Sequence, residues 1–251
     1  PSRRDTLTDP IAPPGRLRIL RMSSDPRKPD RSMADAVAQR VESRRGEASP
    51  WSTALRELGA VDRATYRAIA ETPTPSLDDP IRRLSNAANN SRLWLGIAAA
   101  LAVLGGRRGR RAALEGVVAI GVTSATVNLL AKSLAARPRP HPEELEPFPS
   151  RAVAMPASSS FPSGHAASAF AFSYAIGRHM PELAVPVRLL AGAVAYSRVH
   201  VGVHYPGDVT VGAMMGSGIA AMLSSLGDRL ATRRRRSNVW NTPGIGDGKG
   251  G

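Results

Sequence analysis

The stretch "SRVHVGVHYPGD" (Ser197–Asp208) holds an arginine, two histidines and an aspartate between two apolar runs. Ionisable groups in or beside a bilayer are costly, and they persist mainly where they face a cavity and have a function. Similar groups stand at the ends of other apolar runs, and we expect all of them to meet at one end of a helical bundle. The full set is Lys132, Arg139, His165, Arg198, His204 and Asp208.

The cations of this set predict a site for a phosphorylated substrate. Lys132, Arg139 and Arg198 together suit a ligand with several negative charges, and arginine forks match phosphate oxygens. The run "PSGH" adds an anion site, because its proline fixes the backbone before a helix and Gly164 lets the chain approach a ligand closely.

The histidines supply the chemistry. A histidine can act as nucleophile or proton donor near neutral pH. Asp208 follows His204 by four residues and can hold its far ring nitrogen, which fixes the tautomer and stabilises the charged ring. The residues therefore predict phosphoryl transfer through a histidine.

Five apolar segments position these residues and predict an all-α protein. A membrane-spanning helix needs about 20 residues, with a range of roughly 17–25, so the first and third segments span only with flanking residues. All five are rich in Ala, Gly and Ser, which suits close packing in a bilayer. A soluble helical bundle is the alternative, and the mean hydropathy of −0.18 favours it, although the polar tails lower that average. The segments are Trp94–Gly106, Ala112–Leu134, Ser163–Ile176, Leu183–Val203 and Val209–Leu226.

Two arginine clusters predict the orientation. Arg107–Arg111 and Arg233–Arg236 are separated by four segments, an even number, so both can be cytoplasmic as the positive-inside rule prefers. Loops 135–162 and 204–208 then face outward. Five segments would also put the basic N-terminal tail outside, against the same rule, unless residues 51–90 contribute a further pass.

The composition restricts the partners. The 251 residues carry 34 basic and 20 acidic side chains, a formal charge of +14, which indicates nucleic acid, anionic lipid or a phosphorylated substrate. No soluble helix or sheet bears the arginine clusters, so nucleic acid is not expected. The chain has no cysteine, which excludes disulfides and a thiolate nucleophile.

Three motifs in order make the chain resemble the type 2 phosphatidic acid phosphatase family, whose superfamily includes vanadium haloperoxidases, bacterial acid phosphatases and glucose-6-phosphatase. The resemblance covers about residues 92–230 and implies a polytopic membrane bundle of five to six helices. The sixth helix is expected in the amphipathic stretch near 63–88. The motifs are Lys132-x6-Arg139-Pro140, Pro162-Ser163-Gly164-His165 and Ser197-Arg198-x5-His204-x3-Asp208, and they match without departure.

The resemblance implies a role for each matching residue. His204 is expected to attack phosphorus with support from Asp208, and His165 is expected to protonate the leaving oxygen. No metal or other cofactor is implied. The residues expected to bind the substrate phosphate are Lys132, Arg139, Ser163, Gly164 and Arg198.

Two neighbouring residues offer alternatives. Arg137 could replace Arg139 at the phosphate, although the spacing from Lys132 favours Arg139. His200 and His204 have the i, i+4 spacing of a zinc site, but Val201 stands where a zinc protease carries glutamate. A structural role is therefore expected for His200.

Four regions follow from these patterns: a disordered basic tail (1–50), an amphipathic helical region (51–90), a membrane phosphatase core (91–232) and a basic, glycine-rich disordered tail (233–251). The second region is expected to hold two short amphipathic helices, broken by Pro73, Pro75 and Pro80.

The sequence thus predicts a metal-independent, multi-pass phosphatase of the plasma membrane whose active site faces outside. Its expected partners are membrane lipids and a lipid phosphate: phosphatidate, an isoprenoid (pyro)phosphate or a prenyl-phosphoryl sugar phosphate. A soluble acid phosphatase or vanadium haloperoxidase on the same scaffold is one alternative. A non-catalytic lipid-phosphate-binding membrane protein is another, but binding alone would need the cations without the histidine pair.

Overall fold

The computed structural model describes residues 35, 39–40, 49–131, 137–140 and 149–240. Contacts divide the chain into two units, 1–53 and 54–251, and the second holds the helical bundle and the candidate site. Regular structure in the described residues is helical, which confirms the all-α class. The helices are α1 (Pro50–Glu71), α2 (Pro75–Ala87), α3 (Arg92–Leu104), α4 (Gly106–Ala125), α5 (Gly164–His179), α6 (Ala184–His200) and α7 (Pro206–Trp240).

Helix α5 packs against α4, α6 and α7 and forms the centre of the bundle. Its sequence is small or apolar on every side, a pattern typical of a helix that is buried all round. Phe172 is fully buried and lies against Trp94 of α3, with 5.5 Å between ring centroids. The third apolar segment of the sequence is therefore the core helix of the protein.

Helices α5 and α7 approach closely because α7 carries glycines where they touch. A Cβ added at Gly212 would lie 2.5 Å from the carbonyl oxygen of Ser163, and one at Gly216 would overlap the carbonyl oxygen of Ala167. Small residues allow such backbone contact. The start of α5 is thereby fixed beside the start of α7, and the Ser163 N–H donates to the carbonyl oxygen of Asp208 at 3.0 Å.

Large apolar side chains cover the outside of α4, α6 and α7. Leu114 is 68% exposed, Leu189 69% and Met222 73%. Extensive exposed apolar surface marks contact with a membrane or a partner. Residues Gly106–Leu129 and Pro206–Arg233 are long and apolar enough to cross a membrane.

The region before the first span contains two helices, separated at Pro73 and Pro75 as the sequence predicts. Helix α2 nevertheless continues through Pro80, where a further break was expected. Pro80 has no N–H, so the carbonyl of Ser76 lacks its helical donor, and the helix tolerates this single loss.

Helix α7 is longer than the fifth apolar segment. It continues to Trp240, through the cluster Arg233–Arg236 at which the sequence predicted the start of a disordered tail. No proline or glycine occurs between Asp228 and Thr242, and leucine, alanine and arginine favour helix. Its first turn carries Asp208.

Candidate active site

Five of the predicted site residues line one cavity of about 190 Å³. We call it the phosphate cavity. Its wall comes from the ends of α4, α5 and α6 and from the turn Asn89–Ser91 between α2 and α3. Lys132 lies outside the described residues. The lining comprises the predicted residues Arg139, Gly164, His165, Arg198 and His204, and the unpredicted polar residues Asn90, Ser91, Ser124, Asn128, Ser158 and Ser168.

A tight turn after α6 places His204. Gly202 has φ 72°, a left-handed conformation that glycine adopts without strain. The N–H of Gly202 donates to the carbonyl oxygen of Val199, and the N–H of Val203 donates to that of Arg198, which is the Schellman pattern of a helix end. The N–H of His204 also donates to the Arg198 carbonyl, at 3.2 Å. The local sequence thus fixes His204 relative to Arg198.

The ring of His204 is buried between a carboxylate and a guanidinium group. Its Nδ1 lies 3.6 Å from Oδ2 of Asp208, and its Nε2 lies 3.5 Å from Nη1 of Arg139. A guanidinium can only donate, so a hydrogen bond here requires Nε2 to accept and assigns the ring proton to Nδ1, the nitrogen nearer the carboxylate. This is the tautomer that a nucleophilic Nε2 requires.

The electrostatics of the site keep this ring neutral. Burial lowers the pKa of His204 to about 4; Arg139 and Arg198 add to the decrease, and Asp208 opposes it. A neutral imidazole offers its Nε2 lone pair across the physiological pH range, which is what attack on phosphorus requires.

Asp208 is held by contacts that the motifs did not reveal. Its Oδ2 accepts from the Tyr205 N–H at 2.9 Å, and its Oδ1 accepts from Nη1 of Arg137 at 2.8 Å. Nη2 of Arg137 donates to Asp62 of α1 at 2.6 Å, and the guanidinium lies 4.2 Å from the Tyr205 ring centroid. Arg137 is not among the residues that line the phosphate cavity. It fixes the acid behind His204, while Arg139 faces the cavity.

The two lining arginines are both anchored. Nη1 of Arg198 donates to Oγ of Ser85 at 2.5 Å, while its buried Nε has no partner in the described part of the chain. Nη1 of Arg139 donates to the Val203 carbonyl at 2.6 Å, and its Nε donates to that of Ser158 at 2.9 Å. An orphaned buried donor beside a second guanidinium fits an anionic ligand.

The start of α5 contributes His165 and a helix N-terminus. Nε2 of His165 lies 3.0 Å from Oδ1 of Asn89, which orients the ring. Ser163 is fully buried and caps α5, with its Oγ 3.5 Å from the N–H of Ala166. It does not line the phosphate cavity, whereas Gly164 does. A direct contact of Ser163 with substrate phosphate remains a prediction.

A buried cluster ties α2 to α6 behind the site. The Asp78 carboxylate accepts from Nε of Arg151 at 2.8 Å and from Oγ of Ser150 at 3.0 Å, and it lies 3.0 Å from Nε2 of His200. Arg151 also donates to Thr74 and to backbone carbonyls at the end of α1. This cluster holds in place the helix that carries Ser85 and leads to Asn89. His200 belongs to this cluster and does not line the phosphate cavity.

The arrangement matches the needs of phosphoryl transfer. It combines a neutral, oriented imidazole with a second histidine, two guanidinium groups and a helix N-terminus around one cavity. Fixed donors aimed at the oxygens of a transferring phosphoryl group stabilise its transition state. Motif spacing predicted these lining residues, but not the ones that anchor them.

Comparison with known proteins agrees with this geometry. The sequence profile of the PAP2 superfamily matches residues 112–230. The decaprenylphosphoryl-5-phosphoribose phosphatase of Mycobacterium tuberculosis is 33% identical over 162 residues, which cover 64% of this chain and 87% of that protein, in each of two strains.

Two crystal structures share the fold. A transmembrane PAP2-type phosphatidylglycerolphosphate phosphatase from Bacillus subtilis aligns with a TM-score of 0.53 and 23% identity, over 69% of this chain and 87% of that one. LpxE of Aquifex aeolicus aligns with a TM-score of 0.53 and 25% identity, over 63% and 92%. The expected membrane helix bundle is thereby confirmed, and the chain belongs to the PAP2 superfamily of phosphatases.

Proposed function

We propose that the protein is a lipid phosphate phosphatase that removes the phosphomonoester group of a prenyl-phosphoryl sugar phosphate at the outer face of the plasma membrane. The observation that carries the proposal is the neutral His204, held between Asp208 and Arg139 on a cavity that His165 and Arg198 also line. The substrate class is supported by the name of the mycobacterial relative.

The reaction proceeds in two steps. Nε2 of His204 attacks phosphorus, the bond from phosphorus to the ester oxygen breaks in line, and His165 gives a proton to that oxygen. The products are the lipid-linked sugar and a phosphohistidine. A water molecule then attacks phosphorus and passes its proton to His165, the N–P bond breaks, and inorganic phosphate leaves.

Phosphate release by detergent-purified protein tests this function. The wild-type protein should hydrolyse a prenylphosphoryl-5-phosphoribose faster than phosphatidate or an isoprenoid pyrophosphate. His204→Ala should abolish turnover and the acid-labile phosphoenzyme, and His165→Ala should slow turnover by roughly 10² to 10⁴ for lost proton transfer. A fully active His204→Ala protein would contradict the mechanism.

Vanadate provides a second test on the same preparation. It adopts five coordination readily and should inhibit competitively, as a mimic of the phosphorane-like transition state. Peroxide-dependent halide oxidation in the presence of vanadate would instead favour a haloperoxidase. EDTA should leave activity unchanged, and metal-restored activity after EDTA treatment would contradict the proposed site.

A further inference from the structure

A second cavity adjoins the phosphate cavity, and we call it the side cavity. Its volume is about 350 Å³, inside the range of roughly 300–1,000 Å³ typical of ligand pockets. The two cavities share four lining residues: Asn90, Pro156, His165 and Arg198. They are therefore adjacent compartments of one site.

The two histidines place the side cavity on the leaving-group side of the reaction. His204 lines the phosphate cavity and not the side cavity, whereas His165 lines both. In an in-line displacement the leaving oxygen departs opposite the nucleophile. Because His165 protonates that oxygen in the proposed mechanism, the group attached to it extends past His165 into the side cavity.

The lining of the side cavity suits a neutral, polyhydroxylated group. Three asparagines line it, Asn86, Asn89 and Asn90, and Val153 and Ala154 add an apolar wall. A carboxamide both donates and accepts, as a hydroxyl does. No carboxylate occurs among the described residues that line it. An acyl or prenyl chain offers these amides no hydrogen-bond partner, whereas a sugar hydroxyl does.

The turn Asn89–Ser91, which contributes to both cavities, has a left-handed backbone at two positions. Asn90 has φ 53° and Ser91 has φ 58°, so two successive residues other than glycine are left-handed. Such conformations cost free energy and cluster at ligand sites. Asparagine tolerates this region better than most residues, and Asn90 lines both cavities.

We infer that the side cavity binds the sugar of the leaving group, and that its carboxamides select phosphate esters carried on a sugar with free hydroxyls. This assignment rests on the proposed function and specifies the source of its substrate preference. Asn89 also orients His165, so Asn86, which lines only the side cavity, is the residue that isolates sugar recognition.

The test compares kcat/KM for a short-chain prenylphosphoryl-5-phosphoribose with kcat/KM for a short-chain phosphatidate in the same detergent. Asn86 is exposed at the end of α2, so leucine is tolerated there. Asn86→Leu should lower the ratio of the two values by roughly 3- to 10-fold, the effect of one lost neutral hydrogen bond. Arg83→Gln, at an exposed position of the same helix that lines neither cavity, should leave the ratio unchanged.

A substrate that lacks the 2-hydroxyl of the ribose completes the comparison. It should be a poorer substrate than the ribose compound for the wild-type protein, and Asn86→Leu should narrow that difference. An unchanged ratio in Asn86→Leu, or an equal fall in Arg83→Gln, would overturn the assignment of the side cavity and leave the proposed function intact. Absence of phosphate release by the wild-type protein from both lipids would overturn the proposed function itself.

Discussion

At the scale of single residues, the orientation of His204 depends on a carboxylate that a residue of α1 helps to hold. Asp208 accepts from Arg137, and Arg137 is in turn paired with Asp62 of α1. Oδ1 of Asp62 also accepts from the Gly207 N–H at 2.6 Å, next to Asp208. Asp62 and Arg137, which are not motif positions, therefore help to orient Asp208 beside His204, the proposed nucleophile.

Replacement of Arg137 tests this chain. Arg137→Gln should lower kcat by roughly 10- to 100-fold with little change in KM, because a charge-assisted hydrogen bond of about 1.5–3 kcal/mol orients Asp208. It should also move the acidic limb of the pH–rate profile upward, since Asp208 without its cationic partner stabilises the protonated His204 ring more strongly. Steady-state kinetics across pH measure both effects.

The controls separate positioning from folding. Arg137→Lys keeps the charge but not the fork, so partial recovery is expected. Arg67→Gln, at an exposed position on α1, should behave as wild type. If Arg137→Gln lost activity with an unchanged pH profile, the residue would have a structural role only.

The lowered pKa of His204 gives a second prediction at this scale. A histidine of ordinary pKa loses its neutral, nucleophilic form below about pH 6.5. His204, whose pKa is lowered to about 4, keeps that form until the pH falls to about 4. Removal of the Arg139 charge takes away one cause of the decrease, so Arg139→Gln should raise the acidic limb of kcat/KM. The substrate ionises identically for both proteins, and the difference between their profiles therefore reports the enzyme. If the acidic limbs of the wild-type and Arg139→Gln proteins fell at the same pH, Arg139 would not contribute to the lowered pKa of His204.

The sequence could predict the five motif residues that line the phosphate cavity, since the motifs stand at the ends of neighbouring segments and resemble those of a known family. It could not predict Asp62, Ser85 or Asn89, because their approach depends on how α1 and α2 pack against the bundle. The polar run "NAANNS" (Asn86–Ser91) before the first span was the available signal. Polar residues that precede a membrane span are usually interpreted as solvent-exposed. Only the structure shows that residues of this run line the two cavities.

At the scale of elements, the site depends on the contact between α5 and α7. Each helix begins with one part of the site, and backbone-to-backbone contact at Gly212 and Gly216 sets their separation. The sequence predicted both helices but not this contact, because glycine-rich helices have several faces that could meet. For the same reason, the sequence did not predict that α5 is the buried central helix of the bundle.

Two glycines on α7 make this dependence testable. A Cβ at Gly216 would overlap backbone of α5, whereas a Cβ at Gly218 would meet nothing within 4 Å. Gly216→Ala should therefore destabilise the protein by about 1–3 kcal/mol through overpacking and lower activity. Gly218→Ala should be neutral or slightly stabilising, because alanine favours helix. Thermal unfolding in detergent compares them, and equal melting temperatures would show that α5 and α7 can separate without loss.

At the scale of the whole molecule, the two arginine clusters lie at the same end of the bundle. Glu115 of α4 pairs with Arg178 and His179 of α5, and Arg178 pairs with Asp228 of α7. Arg111 precedes Glu115 by one helical turn, and Arg233 follows Asp228 by little more than one. Along α5, Arg178 is 13 residues from His165, which is about 20 Å of helix. The basic end is thus opposite the cavity, and this supports the proposed outward orientation of the active site.

Thiol labelling of whole cells tests that orientation, and the absence of cysteine from the chain removes the background. Ala152 is exposed and directly follows the helical turn Pro149–Arg151, at the cavity end of the bundle. Arg108 is exposed at the basic end. Ala152→Cys should react with an impermeant maleimide added outside cells, because the cavity end faces outward in the proposal. Arg108→Cys should react only after the cells are permeabilised.

The neighbouring glycine at position 109 is unsuitable for this experiment. Gly109 is buried, and a Cβ there would overlap the carbonyl oxygen of Leu101, so a cysteine would escape labelling on either side. Reaction of both variants in permeabilised cells shows that both sites are accessible. Labelling of Arg108→Cys without labelling of Ala152→Cys in intact cells would place the active site on the cytoplasmic face and contradict the proposed orientation.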